Sequence, residues 1–223
     1  MKRREFLTVP AAAIGGTLLY SLAGEPIRLQ AQSTKDGKVK VPLRFFTAAE
    51  ARTVTAACAR ILPTDESGPG ATEANAVIYI DRQLAGPYGR DKYRYTKGPF
   101  VKTYPEHGYQ EKANPQDTYR EGIKDLGNFA DLTLAQQDAK LEAIEKTHFF
   151  ILLRAHTIEG MFCDPMHGGN AGLIGWQLVG YPGPQMSYRN EIDKHFGQPF
   201  HLKPASLEQI TGKKPDPWED EKG

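Results

Sequence analysis

A chain of 223 residues, 39% hydrophobic and 25% charged, has the make-up of a globular domain and enough length for one core. Its formal net charge of +1 gives no basic excess to draw in phosphate backbones, so nucleic acid is excluded as an expected partner. Two cysteines, Cys58 and Cys163, cannot build a four-thiolate zinc or iron–sulfur site within the chain.

The N-terminus reads Lys2-Arg3-Arg4-Glu5-Phe6-Leu7 and runs into a modest apolar stretch diluted by Pro10, Gly15 and Gly16. Arg3, Arg4, Phe6 and Leu7 form the pattern of a twin-arginine export signal, assigned to residues 1–31, with small-residue cleavage sites near Ala23 or Ala31. An uncleaved anchor is the alternative. Residues 1–31 carry Lys2, Arg3, Arg4 and Arg28 against Glu5 and Glu25, so their removal takes two positive charges from +1 and leaves about −1. The twin-arginine route carries folded proteins, which commonly acquire a cofactor first, yet no dinucleotide fingerprint, P-loop or haem motif follows. Either the chain escorts a cofactor-bearing partner, or it is a cofactor-free passenger that folds too fast for threading.

Residues 32–43 are a polar linker, and a helical domain is expected over 44–200. Thr47 and Glu50 have capping-box spacing behind the apolar Phe46, which predicts a helix to Ile61, closed by Pro63. Cys58 shares its apolar stripe with Val54, Ala57 and Ile61, as a buried core thiol would. A second helix is predicted over 72–85, ending at Gly86-Pro87.

Residues 86–115 interleave Tyr88, Tyr93, Tyr95, Tyr104 and Tyr109 with four prolines and with Arg90, Lys92, Arg94, Lys97 and Lys102. Each proline removes a donor and restricts its predecessor, so the stretch reads as a long loop. Such a loop either serves a partner or wraps its own domain. Helices return at Asn114-Pro115, with a stripe of Tyr119, Ile123, Leu126 and Phe129, and at Thr133, with Leu134, Leu141 and Ile144. Residues 147–162 are apolar on most sides and are predicted as the central buried helix. Residues 164–183 hold six glycines with Trp176 and Tyr181, implying close backbone packing against a partner or within the fold. Residues 201–223 form a polar tail in which Trp218 is an unassigned aromatic. The predicted class is mainly α: one compact helical domain with long Pro/Gly/Tyr-rich loops.

Candidate chemistry is sparse. Glu145 and His148 have the Glu-x-x-His spacing of carboxylate-bridged di-iron bundles, but the second motif is reversed, His156 to Glu159. His156, Glu159, Asp164 and His167 form a loose group readable as an acid–base pair or a metal site, or as a buried polar network at a helix exit. Cys163, at that exit, is the more reactive or pairable thiol of the two. Phe162, Trp176, Tyr181, Tyr88, Tyr93 and Tyr95 have the area to anchor a partner interface.

Phe45-Phe46-Thr47-x-x-Glu50, Ile61-Leu-Pro63-x-Asp65, Tyr79-Ile-Asp81 through Pro87-Tyr88, Tyr119-Arg-Glu-Gly122, His156-Thr-x-Glu-Gly160 through Gly169-Asn170, and Gly175-Trp176 to Gly183 together resemble the gluconate 2-dehydrogenase subunit 3 family. The resemblance implies a small non-catalytic subunit, without cofactor, of a periplasmic dehydrogenase complex. In such complexes a large glucose-methanol-choline-type subunit holds FAD, and a multihaem cytochrome c subunit with haem c can pass electrons to quinone. It also implies that the small subunit supplies the export signal and that membrane contact runs through the complex. Cys163 departs from the family pattern, so the resemblance gives it no disulfide role.

Overall fold

In the computed structural model, residues 42–101, 104–107, 112–189, 191–198 and 202–212 are described, together with the backbone of 17–22 and 25–30. Arg3, Arg4, Phe6 and Leu7, the expected export motif, lie with Lys102, Tyr109 and Trp218 outside the described residues. The chain is mainly helical. Strands β1 (Thr17–Leu22) and β2 (Glu25–Gln30) pair antiparallel, Thr17 opposite Gln30 and Leu22 opposite Glu25.

Helix α1 spans Ala48–Ile61 and begins as its sequence dictates. Thr47 Oγ1 accepts the Glu50 amide at 3.3 Å while the Glu50 carboxylate accepts the Thr47 amide at 2.8 Å, satisfying two donors the helix itself leaves open. Val54, Ala57 and Cys58 are buried along one stripe. Helix α2 (Ala76–Ala85) starts four residues later than its periodicity suggests, because residues 72–75 are taken up by turns and Asn75 sits in the left-handed region at φ 56°. It buries Val77, Ile78, Ile80 and Leu84.

Helix α3 (Pro115–Leu126) has Asn114 as cap, exchanging bonds with Asp117, and Pro115 as its first residue. Tyr119, Ile123 and Leu126 are buried, and Phe129, on the following 3-10 turn, extends the stripe. Helix α4 (Leu134–Ala143) opens with the Thr133/Gln136 box. Leu141 is buried but Leu134 is exposed, and the buried first-turn position belongs to Gln137, whose amide donates to the Phe129 and Leu132 carbonyls.

Helix α5 (His148–Phe162) packs against α1, α2 and α3, most extensively on α2. Its buried set, Phe149, Leu153, His156, Thr157, Gly160 and Met161, runs at i, i+4, i+7, i+8, i+11 and i+12, a single helical face. The central helix, expected to be buried and apolar on most sides, is buried on one face only: Ile151 is 54% exposed and Ile158 is also exposed. The main core gathers α1 to α5, and a smaller cluster joins Ala74, Met161 and Ile174. Helices α6 (Ile174–Val179) and α7 (Leu207–Thr211) close the end of α5, with the Leu207 amide donating to Asp164 Oδ2 at 2.8 Å.

Candidate functional site

The polar centre of the domain is His156, on the buried face of α5. Its Nδ1 lies 2.8 Å from the hydroxyl of Tyr119 on α3, and its Nε2 lies 2.9 Å from the hydroxyl of Tyr88, three residues past the end of α2. The Tyr119 ring lies parallel to the imidazole within 10°, and Tyr88 meets it edge-on. A buried imidazole must have its nitrogens satisfied, and here two tyrosines from different elements do so. Burial lowers the pKa of His156 below its usual value, and the charge of Glu159 opposes that shift. Burial also raises the Tyr119 phenol well above its ordinary range and pushes Tyr88 up to about 12. At neutral pH the trio is an uncharged hydrogen-bonded lock joining α3, α5 and the start of the 86–114 loop.

Glu159, one turn further along α5, accepts from the Tyr79 hydroxyl at 2.8 Å rather than from His156. Asp164 caps the next turn, accepting from the Met166 amide at 3.0 Å through one oxygen and from Leu207 through the other. His167 sits on the 3-10 turn Pro165–His167. The structure does not gather His156, Glu159, Asp164 and His167 into one site: His156 has both nitrogens occupied, and the two carboxylates are committed to separate partners. No group of three or more His, Cys, Asp or Glu suited to a metal ion occurs among the described residues. The di-iron spacing also dissolves, since Glu145 precedes the cap Thr147 and is not on the helix that carries His148.

Two polar residues met above only as letters of the family motifs prove central. Asp81 is 1% exposed on the apolar face of α2, and its carboxylate accepts three successive backbone amides, from Arg44 (2.7 Å), Phe45 (3.0 Å) and Phe46 (2.8 Å). That clip pins the entry segment so that Phe46 enters the core. The available signal was an acid on the stripe of Val77, Ile78 and Leu84. Asn170, fully buried at φ 46°, accepts the Gly175 amide at 2.8 Å and donates to the Cys163 carbonyl at 2.9 Å.

The glycine-rich stretch turns within its own fold. A Cβ on Gly169 would stand 2.1 Å from the Gly160 carbonyl oxygen, and one on Gly175 would stand 2.0 Å from that of Met161, so the segment packs directly on the last turn of α5. Trp176 is only 4% exposed, its Nε1 donates to the Phe162 carbonyl at 2.6 Å, and Tyr181 packs on it edge-on at 5.0 Å. Trp176 therefore belongs to the core of this chain, with Phe162 half-buried beside it. Cys58 and Cys163 are both free thiols, pushed up to about 12 and about 11 by burial. Burial thus disfavours the thiolate at both positions, less so at the half-buried Cys163 than at Cys58.

Of the aromatic candidates, Tyr93 and Tyr95 stand clear of the domain at 77% and 78% exposure, while Tyr88 and Tyr181 are partly exposed. The loop that carries Tyr88, Tyr93 and Tyr95 is nailed at its base. Tyr88 is held by His156, the Gln116 amide donates to the Gly89 carbonyl, and Arg94 joins the Asp91 carboxylate (2.6 Å) to the Ala113 carbonyl (3.2 Å) across the loop.

These features define a small helical domain whose polar groups are spent on internal locks and whose exposed aromatics sit on loops. The family model described as gluconate 2-dehydrogenase subunit 3 matches residues 48–183, more than half of the chain, and the protein belongs to that family. The family name is that of one subunit of a dehydrogenase complex with other subunits. Neither a curated protein nor a solved structure matches the chain.

Proposed function

We propose that this chain is a non-catalytic small subunit that binds and stabilises a large FAD-containing, glucose-methanol-choline-type sugar or sugar-acid dehydrogenase subunit and carries it out of the cytoplasm by the twin-arginine route. The family match over residues 48–183 carries the reading. Two features support it. Residues 1–31 contain an export motif, Arg3-Arg4 with Phe6-Leu7, on a chain whose polar core is a set of structural locks. Tyr93 and Tyr95, outside that core, are displayed on a braced loop, as suits a binding subunit. In this reading FAD resides in the large subunit and haem c in a cytochrome subunit. The complex is periplasmic, and this chain touches the membrane only through it.

The test is export of the pair. Replacing Arg3 and Arg4 by Lys in a strain making both subunits should leave this chain and active flavoprotein together in the cytoplasm. Continued export of active flavoprotein, or failure of the wild-type chain to co-purify with a flavin-containing subunit, refutes the reading.

A further inference from the structure

Residues 90–101 form an exposed aromatic and basic surface on the described domain. Tyr93, Tyr95 and Val101 are 77%, 78% and 65% exposed, Phe100 is exposed beside them, and Lys92 and Lys97 are interleaved with them. The stretch carries Arg90, Lys92, Arg94 and Lys97 against Asp91 alone. Arg94 is consumed by its ion pair with Asp91, and that pair braces the loop rather than facing outward. The remaining cations give the tip a positive field on a chain that is close to neutral overall.

The way the loop is held matters as much as its composition. Backbone bonds from Lys92 to the Pro87 carbonyl and from Asp91 to the Tyr88 carbonyl coil its base onto the end of α2, and the Tyr88–His156 bond ties that base to the central helix. Binding through a pre-braced loop loses less conformational entropy than binding through a free one. An apolar, aromatic tip on a fixed base is the arrangement of an interface anchor, and tyrosine with basic residues is the composition enriched at such anchors.

We infer that residues 92–101 dock into an apolar recess rimmed by carboxylates on the FAD-containing subunit, with Tyr93 and Tyr95 as anchors and Lys92 and Lys97 setting register and association rate. The inference rests on the proposed function and adds the surface and the chemistry of its counterpart. Charge complementarity makes the counterpart acidic. The hydrogen-bonded base holds these side chains at set positions, which suits a counterpart with groups at defined points more than a fluid lipid surface.

The experiment uses the full chain and the FAD-containing subunit with which it is co-expressed. Binding is measured at low and moderate salt, alongside melting of the small subunit alone and binding to phosphatidylglycerol vesicles. Tyr93→Ala with Tyr95→Ala should weaken binding about 30-fold or more and leave melting unchanged, because both rings lie in solvent in the free subunit. Lys92→Glu with Lys97→Glu should slow association and abolish or invert its salt dependence. Affinities within twofold of wild type in both variants overturn the inference while leaving the proposed function standing. So does a loss confined to vesicle binding, which would assign the surface to lipid, and so does a drop in melting that accounts for the lost affinity. If the wild-type chain itself does not bind the FAD-containing subunit, both readings fall.

Discussion

Replacing Asp81 tests whether the domain depends on its entry clip. The carboxylate receives three amide donors within 2.7–3.0 Å, and of these the Phe46 amide is fully buried while those of Arg44 and Phe45 are partly buried. Hydrogen bonds to a charged group contribute about 1.5–3 kcal/mol each, but the two partly buried amides regain water once the carboxylate is gone. Asp81→Ala should therefore destabilise by about 3–5 kcal/mol, well short of three full bonds. At about 2–4 °C per kcal/mol for a chain of this size, the melting temperature should fall by about 6–20 °C. Asp81→Asn provides the discriminating comparison. Its carbonyl can keep the Phe45 and Phe46 amides, which both address Oδ1, while its NH2 group is set against the Arg44 amide, which addresses Oδ2. The asparagine variant should lose about 1.5–3 kcal/mol and melt between the wild type and the alanine variant. Circular dichroism of the purified subunit reads the melting, and amide hydrogen exchange at Arg44, Phe45 and Phe46 should accelerate in the same order. If the alanine variant melts within about 1 °C of wild type, or below neither the wild type nor the asparagine variant, the clip does not stabilise the fold and the reasoning fails.

The remaining expectations concern the other locks. His156→Ala leaves the hydroxyls of Tyr88 and Tyr119 without their shared partner and should lower stability by about 2–4 kcal/mol, with turnover per flavin in the assembled complex unchanged; lost turnover in a complex that melts normally would place His156 in catalysis. Because burial lowers the folded-state pKa of His156, the unfolded chain binds the extra proton first, so its contribution to stability is full above about pH 6.5 and is lost as pH falls from there through the depressed folded value. Chemical denaturation from pH 7.5 to 5 should show that loss in the wild type and a shallower slope in His156→Phe; equal slopes would refute it. Gly175→Ala, whose methyl group would stand 2.0 Å from the Met161 carbonyl oxygen, should destabilise by about 3 kcal/mol or more in thermal melts, and an unchanged melt would show that the glycine-rich turn yields freely. The buried Cys58 should resist alkylation at pH 8 in the folded chain and react on unfolding, and the half-buried Cys163 should label more slowly in the folded chain than in the unfolded one; rapid native labelling of Cys58 would contradict its burial.

What the sequence determined by itself was local. Helix starts at Thr47, Asn114 and Thr133 were legible because each cap acts over three residues, and the buried stripe through Val54, Ala57 and Cys58 was legible because helical period alone places those positions on one face. The family was legible too, as motifs in order along the chain, and residues 48–183 match its model. The partner choice of each buried polar group was not. His156, Glu159, Asp164 and His167 lie within twelve residues, and proximity along the chain suggested one site. The fold instead gives His156 to Tyr88 and Tyr119, 68 and 37 residues away, Glu159 to Tyr79, 80 residues away, and Asp164 to Leu207, 43 residues away. Asp81 reaches back 35 to 37 residues for its amides in the same way. Tertiary structure also decided which aromatics are structure and which are surface. Trp176 and Tyr93 are equally plausible anchors as letters, but Trp176 has a carbonyl to bond and a glycine-lined turn to pack it, whereas Tyr93 sits beyond a proline-bounded base and is 77% exposed among the described residues. Such choices depend on which elements meet across the core, a property of the packed assembly of helices that no window of the chain contains.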